Sequence, residues 1–588
     1  MKTIYLATFI LIAFINIAYS YWIPRNTNVN ACDNIINYVT YSDEKFVNYS
    51  DVKACYESIP YNKTKATQII EAVKENFEAF YVLLEQSKED PNPGFAFRSM
   101  DIIPELDLLL KNNYLYEYQF IYDLANLIGE LRDRHTWLTS TDYHQYMFHQ
   151  GLSLYSQIKV FNDIKDSSTI DCQVVYIDDK PAIDVITEFA SNNTAWSRDL
   201  SVRFNSALAS LYFGYGDFGI YGQLFTRRSQ LPKNSSISYT LNCNDKITKI
   251  IREWQIHIKT LPQYKSPYIN GTTVGDAKLI FDAFIARFYT LQDFGVVLIL
   301  TEEVDDDEDD NVLEYHYITD IIFGLKLLAD KGIKKIVLDL SNNGGGNIVV
   351  AHIINKILFP NIQNFPVDMK VNNISIQLIE GVSMNKSEIG DIFHYKSYIS
   401  TKTNSSFNSI NDFIGNNSYT RGGIQLKYTS KAFSNDTTST FGSLTLPTPP
   451  KFPWNEKDFI ILTNGQCISS CAILSQRLAE INVSTVSVGG FPNRRFSFAS
   501  TSGGAQLTTN SFQSYFKLLK NIDNSLISKL TLPQNLTLSF TAFEAYSVNH
   551  PNEVLDFSFR PADYQLYYDE RSARDPSKLW IQAVEFIR

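Results

Sequence analysis

The sequence predicts an α/β fold for the C-terminal half of this 588-residue chain, preceded by a helical region and a β-rich region. From residue 290 onwards, short runs of β-branched residues alternate with longer amphipathic runs, which is typical of an α/β core. Residues 21–150 carry helical periodicity, whereas residues 151–262 consist mainly of short strand-like runs. We therefore expect a helical N-terminal domain at 21–150, a β-rich domain at 151–262 and an α/β domain at 285–588.

The elements of the α/β domain follow one another in a regular order. We expect strands at 295–300, 335–340, 458–463 and 484–488, and helices at 313–331, 347–358 and 471–481. An insertion at about 360–455, rich in asparagine, serine and threonine, interrupts this alternation. Because a connection of that length is usually functional or a separate subdomain, we interpret it as a lid or specificity element over a cleft.

The first twenty residues predict a secretory signal peptide. They start with Met1-Lys2-Thr3, continue as an apolar run from Ile4 to Ile17, and end with the small residues Ala18 and Ser20 at the −3 and −1 positions. No later apolar run is long enough to cross a membrane, so we expect a secreted protein. Glycosylation sequons agree with this route, among them Asn48, Asn62, Asn192, Asn234, Asn270, Asn404, Asn435 and Asn535.

Six cysteines, an even number, fit an oxidising compartment and predict disulfide bonds. Adjacent pairing would join Cys32 with Cys55, Cys172 with Cys243 and Cys467 with Cys471, although six cysteines allow 15 connectivities.

Charge and motif content exclude several classes of partner. The net charge of −11 argues against nucleic acid or an anionic membrane surface as a partner. No C-x-x-C or H-E-x-x-H spacing indicates a metal, and we expect no cofactor. The acidic run from Glu302 to Asp310 has a calcium loop as one interpretation, but it lacks the ligand spacing of an EF-hand, which favours a solvated loop.

The most informative segment is a serine-containing turn between a predicted strand and a predicted helix. The strand at 458–463 is followed by Asn464-Gly465 and then by Gln466-Cys467-Ile468-Ser469-Ser470-Cys471-Ala472. A hydroxyl there is exposed at a strand end in the positive field of a helix N-terminus. Serine nucleophiles are presented in this way elsewhere, although the G-x-S-x-G pattern is absent. The alternative is that these serines only cap the helix.

A second turn is rich in glycine and connects the strand at 335–340 with the helix at 347–358. It reads Ser341-Asn342-Asn343-Gly344-Gly345-Gly346-Asn347. Three adjacent glycines let the backbone approach a ligand closely and point N–H groups at it. The Lys-Ser/Thr of a P-loop and the G-x-G-x-x-G spacing are both missing. A phosphate site and an oxyanion hole both remain open at this point.

Together, the two turns resemble those of the tail-specific, or C-terminal processing, serine peptidases and their tricorn-core relatives. The resemblance is specific over residues 290–350 and 455–490. It implies that Ser469 is the nucleophile and that the N–H groups of Ser470 and Gly345, with Gly346 as the near alternative, form an oxyanion hole. It also implies a crotonase-like (Clp-protease-like) core of ββα units and a protein or peptide substrate.

A PDZ module often lies between the helical region and the core in this family. The run from Cys172 to Ile186 reads as a strand, a turn and a short helix, which resembles part of such a module. Its carboxylate-binding loop cannot be recognised, so a β-rich insertion of another kind is the alternative.

The general base departs from the family pattern. Bacterial and plastid members use a lysine about 25 residues after the serine, and the same count from Ser469 reaches Arg494, which holds its proton at any working pH. The run Leu131-Arg132-Asp133-Arg134-His135-Thr136-Trp137 resembles the Asp-x-His-Thr element of tricorn-like peptidases, which implies His135 as the base. An imidazole suits a hydroxyl nucleophile at neutral pH. The alternative is a helix-end histidine satisfied by Asp133 or the backbone.

We therefore expect a secreted serine endopeptidase. The alternatives are a catalytically inactive binding protein on the same fold, which the missing lysine favours, and a different acyl-transfer hydrolase. An orienting carboxylate is expected, and Glu553 and Asp563 are candidates only by their place near the C-terminus. The remaining histidines lack comparable context and are expected to be structural: His144, His149, His257, His316, His352, His394 and His550.

Overall fold

A computed structural model describes residues 31–32, 35, 46–144, 146–195, 197–213, 218–257, 264–303, 310–384, 391–435, 450–516 and 524–587. The predicted signal peptide at 1–20 lies outside these residues. So do most of the acidic run, at 304–309, and parts of the predicted insertion, at 385–390 and 436–449.

The helices, in chain order, are α1 Tyr49–Tyr56, α2 Lys63–Phe80, α3 Ile102–Leu109, α4 Glu117–Gly129, α5 Ala182–Asn193, α6 Leu200–Ala207, α7 Asp310–Asp330, α8 Ile348–Leu358, α9 Asn373–Met384, α10 Ile410–Ile414, α11 Ser470–Glu480, α12 Thr509–Phe516, α13 Asn524–Leu530 and α14 Ser577–Val584.

The strands are β1 Phe46–Val47, β2 Trp137–Ser140, β3 Met147–His149, β4 Leu152–Tyr155, β5 Lys159–Asp163, β6 Gln173–Ile177, β7 Lys180–Pro181, β8 Ala209–Phe213, β9 Phe218–Gly222, β10 Arg227–Arg228, β11 Ser236–Cys243, β12 Lys246–Glu253, β13 Gln255–His257, β14 Ile269–Asn270, β15 Thr273–Val274, β16 Ala277–Asp282, β17 Ala286–Leu291, β18 Phe294–Ile299, β19 Ile336–Asp339, β20 Val367–Met369, β21 Tyr398–Ser400, β22 Asn417–Arg421, β23 Ile424–Tyr428, β24 Ala432–Ser434, β25 Phe459–Thr463, β26 Ser484–Val488, β27 Gln506–Thr508, β28 Leu536–Thr541, β29 Phe543–Ala545 and β30 Tyr564–Leu566.

The largest sheet runs in the order β14-β15-β16-β17-β18-β19-β25-β26-β30. Its first five strands pair antiparallel. From β18 to β30 the pairing is parallel, with helices α7, α8 and α11 in the connections. The predicted mixed α/β fold is confirmed, and each predicted strand and helix of the domain is found with its ends shifted by three residues at most.

Both faces of the parallel sheet are covered, which explains why its strands read as continuous apolar runs. Successive side chains of a strand point to opposite faces. Val297 and Leu338 therefore pack in the layer formed with helices α7, α8 and α11. Their neighbours Val296 and Val337 pack instead in the layer that contains Trp580 of α14. The two layers together support the edge of the sheet at which the glycine-rich turn after β19 and the serine-containing turn after β25 lie.

The region at 151–262 contains a separate sheet with the strand order β12-β11-β6-β5-β4. The strand, turn and helix predicted between Cys172 and Ile186 are found as β6, the short strand β7 and α5. Helix α5 packs its apolar face on this sheet, with Ile186 and Phe189 in the same core as Val174. Its likeness to a PDZ module stays a prediction.

The described part of the predicted insertion is folded against the helical N-terminal region. Helices α1 to α4 share one apolar core with residues between 365 and 432 and with residues between 507 and 557. The insertion supplies β20, β21 and β24 to a sheet completed by β29. The Gly422 N–H donates to Glu89 at 2.7 Å, and Lys370 Nζ donates to the Glu78 carbonyl at 2.7 Å. The lid interpretation stays a prediction, but these contacts anchor Lys370 and Gly422 of the insertion to the N-terminal region.

Three disulfide bonds join Cys32 to Cys55, Cys172 to Cys243 and Cys467 to Cys471. These are the adjacent pairs considered from the sequence. Within the described residues, no helix combines the length and the apolar content that a membrane span requires.

A buried ion pair ties the hairpin of β22 and β23 to strand β29. Arg421 donates to Glu544 from Nε at 3.1 Å and from Nη2 at 2.7 Å, and the Glu544 side chain is fully buried. The hydroxyl of Tyr428 also donates to Glu544, at 3.2 Å. The guanidinium and the hydroxyl group thus supply the hydrogen bonds that a buried carboxyl group needs.

Replacing Arg421 with alanine should lower the free energy of unfolding by about 3 kcal/mol, because a buried carboxylate would lose its cation. Denaturant unfolding of the purified protein measures this. Lys326→Ala is the matched control, since Lys326 and Asp330 form an ion pair whose side chains are both more than half exposed. That change should cost at most about 1 kcal/mol. Equal losses for the two variants would contradict a stabilising role for the buried pair.

Candidate active site

Ser469 lies in a strained turn between β25 and α11. Its φ is +59° and its ψ is −124°, a conformation that residues with a side chain rarely adopt. The residue is partly exposed, whereas Ile468 and Ser470 on either side are buried. Strain of this kind persists only where the surroundings enforce it. The backbone therefore presents the Ser469 side chain at the end of the strand, as in the nucleophile turns of hydrolases.

Several contacts hold this turn in place. The Ser469 N–H donates to the Thr501 carbonyl at 2.8 Å, and the Ile468 N–H donates to the Asn343 carbonyl at 3.0 Å. The disulfide between Cys467 and Cys471 joins residues on either side of Ser469, with 5.2 Å between their Cα atoms. The strained conformation is thus fixed by a covalent bond and by two neighbouring segments.

The glycine turn lies directly against the serine turn. Gly345 has a φ of +93°, and a methyl group on it would lie 2.6 Å from the Ile468 carbonyl oxygen and 2.7 Å from Cβ of Ser469. Only glycine leaves room for this approach. Gly346 has a φ of +151° and packs equally closely on the backbone of Glu302. The two predicted turns therefore meet, and their glycines are required by the closeness of the contact.

The amide groups of the predicted oxyanion hole are not all free. The Gly345 N–H donates to Asn343 Oδ1 at 2.8 Å, so this hydrogen bond must change before Gly345 can bind an oxyanion. Among the hydrogen bonds of the described residues, none uses the N–H of Ser470 or of Gly346. Ser470 and Gly346 are therefore the donors that this structure leaves open.

Beneath the two turns lies the carboxyl group of Glu302, which is fully buried. Ser470 Oγ donates to its Oε2 at 3.1 Å, and Asn343 Nδ2 donates to its Oε1 at 3.1 Å. Burial raises the pKa of Glu302 to about 7, and the hydrogen bonds from these two neutral groups oppose the rise only in part. Ser470 Oγ is thus committed to Glu302, which leaves Ser469 as the nucleophile candidate of the pair.

His135 lies in the turn between α4 and β2 and is buried. Its backbone N–H donates to Asp133 Oδ1 at 3.0 Å. Asp133 Oδ2 accepts from the hydroxyl groups of Thr136 and Thr541, each at 2.7 Å. Burial lowers the pKa of His135, while the nearby Asp133 raises it and Arg134 lowers it further. Asp133 therefore holds the backbone of the turn, and the imidazole favours its neutral form.

Residues 501–503, which we call the bridging segment, connect the elements of the site. The Thr501 carbonyl accepts from Ser469, and Thr501 Oγ1 accepts from the Arg134 N–H at 3.0 Å. A methyl group on Gly503 would lie 3.4 Å from Nδ1 of His135. Nδ1 itself is buried, and no hydrogen-bond partner for it occurs among the described residues. The segment thus brings the serine turn and the histidine turn to one place, although they are 334 positions apart in the chain.

Comparison with known proteins finds relatives among the peptidase S41 family proteins. A peptidase S41 family protein of Diaporthe leptostromiformis, phomP1', is 26% identical over 256 residues, which are 40% of this chain and 37% of that protein. A peptidase S41 family protein of Aspergillus flavus, ustP, is 22% identical over 297 residues, which are 43% of this chain and 61% of that protein. The chain thus spans less than two thirds of the length of either relative. No family model matches the chain.

Solved structures show the same fold. Mature CPAF aligns with a TM-score of 0.55 at 12% identity, over 89% of this chain and 98% of that chain. The complex of mature CPAF with lactacystin aligns with a TM-score of 0.54, over 89% and 99% of the two chains. The chain is related to the S41 peptidases. The resemblance to tail-specific peptidases that the two turns indicated is confirmed.

The two carboxylates suggested from the C-terminal stretch each have a partner away from the two turns. Glu553 pairs with Arg560 at 3.6 Å, and Asp563 accepts from Thr485 Oγ1 at 3.0 Å. Asp556, which the sequence did not single out, is buried, and its Oδ1 accepts from the Ser502 N–H in the bridging segment at 3.2 Å. Burial raises the pKa of Asp556 to about 7, and Arg198 opposes the rise. Asp556 is therefore the carboxylate of this stretch that contacts the bridging segment.

The other predicted positions also have defined places. Arg494, at the position of the family lysine, donates from Nη2 to the Gly94 carbonyl at 3.1 Å. His144 and His149 each accept a backbone N–H through Nδ1, at 3.0 and 3.1 Å, as expected for structural histidines. Glu302 and Asp556 were missed because their contacts join segments far apart in the chain. The sequence placed Glu302 at the start of an acidic run and favoured a solvated loop there, which is wrong for Glu302 because its side chain is buried.

Glu302→Gln should stabilise the protein at high pH. The pKa of Glu302 is about 7 in the folded state and 4.5, the ordinary value, in the unfolded state. Between these values the folded state binds a proton that the unfolded state has already lost. The free energy of unfolding of the wild type therefore falls as the pH rises from about 4.5 to 7. Glutamine removes this loss. The free energy of unfolding of Glu302→Gln, relative to wild type, should increase by about 2–3 kcal/mol between pH 5 and pH 8.

Chemical denaturation at the two pH values measures this difference. Glu303→Gln is the matched control, because it removes a carboxylate from the next residue, whose side chain is exposed. A difference between wild type and Glu302→Gln that does not change with pH would show that Glu302 titrates in its ordinary range.

Proposed function

We propose that this protein is a secreted serine endopeptidase that cleaves peptide bonds with Ser469 as nucleophile and His135 as general base. The observation that supports this most directly is the strained backbone of Ser469 at +59°, packed against Gly345. A turn that only capped a helix would need neither the strain nor the glycine contact, and the Ser469 side chain makes no capping hydrogen bond to α11. The relation to S41 peptidases supports the same class of reaction.

In the proposed mechanism, Ser469 Oγ attacks the carbonyl carbon of the scissile peptide bond while His135 accepts the hydroxyl proton. The carbonyl oxygen becomes an oxyanion, which the N–H groups of Ser470 and of Gly345 or Gly346 stabilise. The C–N bond then breaks, and the leaving amine takes the proton from His135. Water then attacks the acyl carbon while His135 accepts its proton, and this proton passes to Ser469 Oγ as the acyl–oxygen bond breaks.

Further parts of the proposal concern the architecture, the compartment and the substrate. We keep a crotonase-like core and a PDZ-like module at 151–262 as proposals, supported by the parallel sheet with its intervening helices and by the order β6, β7, α5. Secretion is supported by the three disulfides, which persist in oxidising compartments. A protein or peptide is the proposed substrate.

A binding protein without catalysis is the second candidate. Two observations favour it: the Gly345 N–H is engaged by Asn343, and within the described chain His135 Nδ1 has no group that fixes its tautomer. Reaction with a fluorophosphonate probe separates the two candidates, since only an activated serine is phosphonylated. Peptide mapping that finds no modified Ser469 in the secreted, folded protein would favour the binding protein.

Ser469→Ala should abolish hydrolysis of casein and fluorophosphonate labelling, because the nucleophilic oxygen is gone. The melting temperature should change little, since the hydroxyl makes no hydrogen bond among the described residues. Ser168→Ala, at an exposed serine of the β-rich region, is the control and should keep full activity. Undiminished turnover by Ser469→Ala would refute the assignment.

The rate of hydrolysis should rise with pH through an ionisation of His135 below the ordinary imidazole value of about 6.5, because burial lowers its pKa, and Glu302 adds a separate ionisation near 7. His135→Ala should lose about 10²–10⁴-fold in kcat/KM. His144→Ala, whose imidazole only accepts the Ser140 N–H, should retain most activity. A His135→Ala enzyme with nearly normal rates, or a limb well above neutrality, would assign the base elsewhere.

A further inference from the structure

Glu302 joins the glycine turn to the serine turn through both its backbone and its side chain. The Glu302 N–H donates to the Gly345 carbonyl at 3.1 Å, and its own carbonyl accepts from the Asn347 N–H at 2.8 Å. One carboxylate oxygen accepts from Ser470 and the other from Asn343, the residue whose Oδ1 holds the Gly345 N–H. A single side chain thus contacts, directly or through Asn343, both turns that carry the proposed oxyanion donors.

We infer that Glu302 is a positioning residue that fixes the directions of the oxyanion-binding N–H groups of Ser470 and of the glycine turn. This inference rests on the proposed function, because it names a residue that acts on that same site without touching the substrate. Ser470 begins helix α11, so a hydrogen bond on its side chain fixes the first turn of the helix and with it the Ser470 N–H. Asn343 transmits the same constraint to Gly345.

At pH 8, above the Glu302 pKa of about 7, this side chain is mostly ionised and offers two acceptor oxygens. Both partners of Glu302 donate, and only a group with two acceptor oxygens can satisfy both. A glutamine at this position has one oxygen and one NH₂ group. Its NH₂ group would face either Asn343 Nδ2, which is itself a donor, or the Ser470 hydroxyl. In the second case the hydroxyl would have to accept a hydrogen bond instead of donating one. Glu302→Gln therefore keeps the size of the side chain and changes the hydrogen bonds on which the donor directions depend.

The buried Glu302 carboxylate also lowers the free energy of unfolding. A fully buried carboxylate between two neutral donors is less stable than a neutral group of the same shape. A side chain that only supported the fold would be expected to add stability. Glu302→Gln should therefore give a protein that is at least as stable at pH 8 and less active, a combination that a purely structural role does not produce.

The experiment measures fluorophosphonate phosphonylation of Ser469 in the full-length secreted protein, with kinact and KI determined separately. Glu302→Gln should lower kinact by about 10- to 100-fold, because misplaced oxyanion donors act on the transition state. KI should stay within about threefold of wild type, since the unreacted probe does not carry the oxyanion. Glu303→Gln, the exposed neighbour, should match wild type in both constants.

A double variant tests whether Glu302 acts through Ser470. Ser470→Ala removes the donating hydroxyl but keeps the N–H, and should itself lower kinact. If the two residues act as one unit, Glu302→Gln/Ser470→Ala should lose no more than the larger single loss. Fully multiplicative losses would overturn the inference. Should Glu302→Gln not be secreted, Ser470→Ala carries the test, and an unchanged kinact in that variant would overturn it.

The results separate this inference from the proposed function. A wild-type protein that is not phosphonylated at Ser469 refutes both. Labelling of the wild type, together with an unchanged kinact in Glu302→Gln, refutes the positioning role and leaves the peptidase proposal standing. A lower kinact with a melting temperature that falls in parallel would assign Glu302 to the fold and overturn the inference.

Discussion

The register of three parallel strands places the glycine turn, the serine turn and Glu302 together. Leu298 of β18 lies beside Asp339 of β19, which in turn lies beside Leu462 of β25. Parallel strands in register end at the same edge of a sheet, and ligand sites of open α/β sheets lie at that edge. The glycine turn, the serine turn and Glu302 follow these strands within a few residues. Their proximity is therefore a property of the sheet and needs no long-range loop to create it.

Asparagine side chains complete this edge, where the backbone groups at the strand ends lack partners within the sheet. Asn342 and Asn464, each just beyond a strand end, are joined by a hydrogen bond of 2.6 Å from Asn464 Nδ2 to Asn342 Oδ1. Asn205 of α6 donates to the carbonyls of Asn464 and Val488 at 2.9 and 3.0 Å. The region at 151–262 is thus tied to this edge of the sheet by amide groups, which satisfy backbone atoms that the sheet leaves unpaired.

Local patterns in the sequence were sufficient for four neighbouring strands of the largest sheet and for the two turns. The apolar runs of β19 and β25, the three glycines and the serines at the start of α11 are signals that lie within about ten residues. His135 could be named only because its neighbourhood resembles a known family element. Glu302 and Asp556 could not be named, because each is defined by hydrogen bonds to residues more than 40 positions away. The fold of residues 367–384 and 391–435 could not be predicted for the same reason, since their core is shared with helices near the N-terminus.

The pairing of β2 with β28 has a consequence for biosynthesis. Strand β2 follows His135 directly, and its Trp137 lies opposite Ser539 near the end of the chain. Asp133, which holds the His135 backbone, binds Thr541 of the same strand β28. Because chains emerge from the ribosome N-terminus first, some 400 further residues are synthesised after β2 before its partner strand β28 exists. The turn that carries His135 therefore gains these two partners only after residue 541 has been translated, and a nascent chain that stops before β28 lacks the hydrogen bonds that hold this turn.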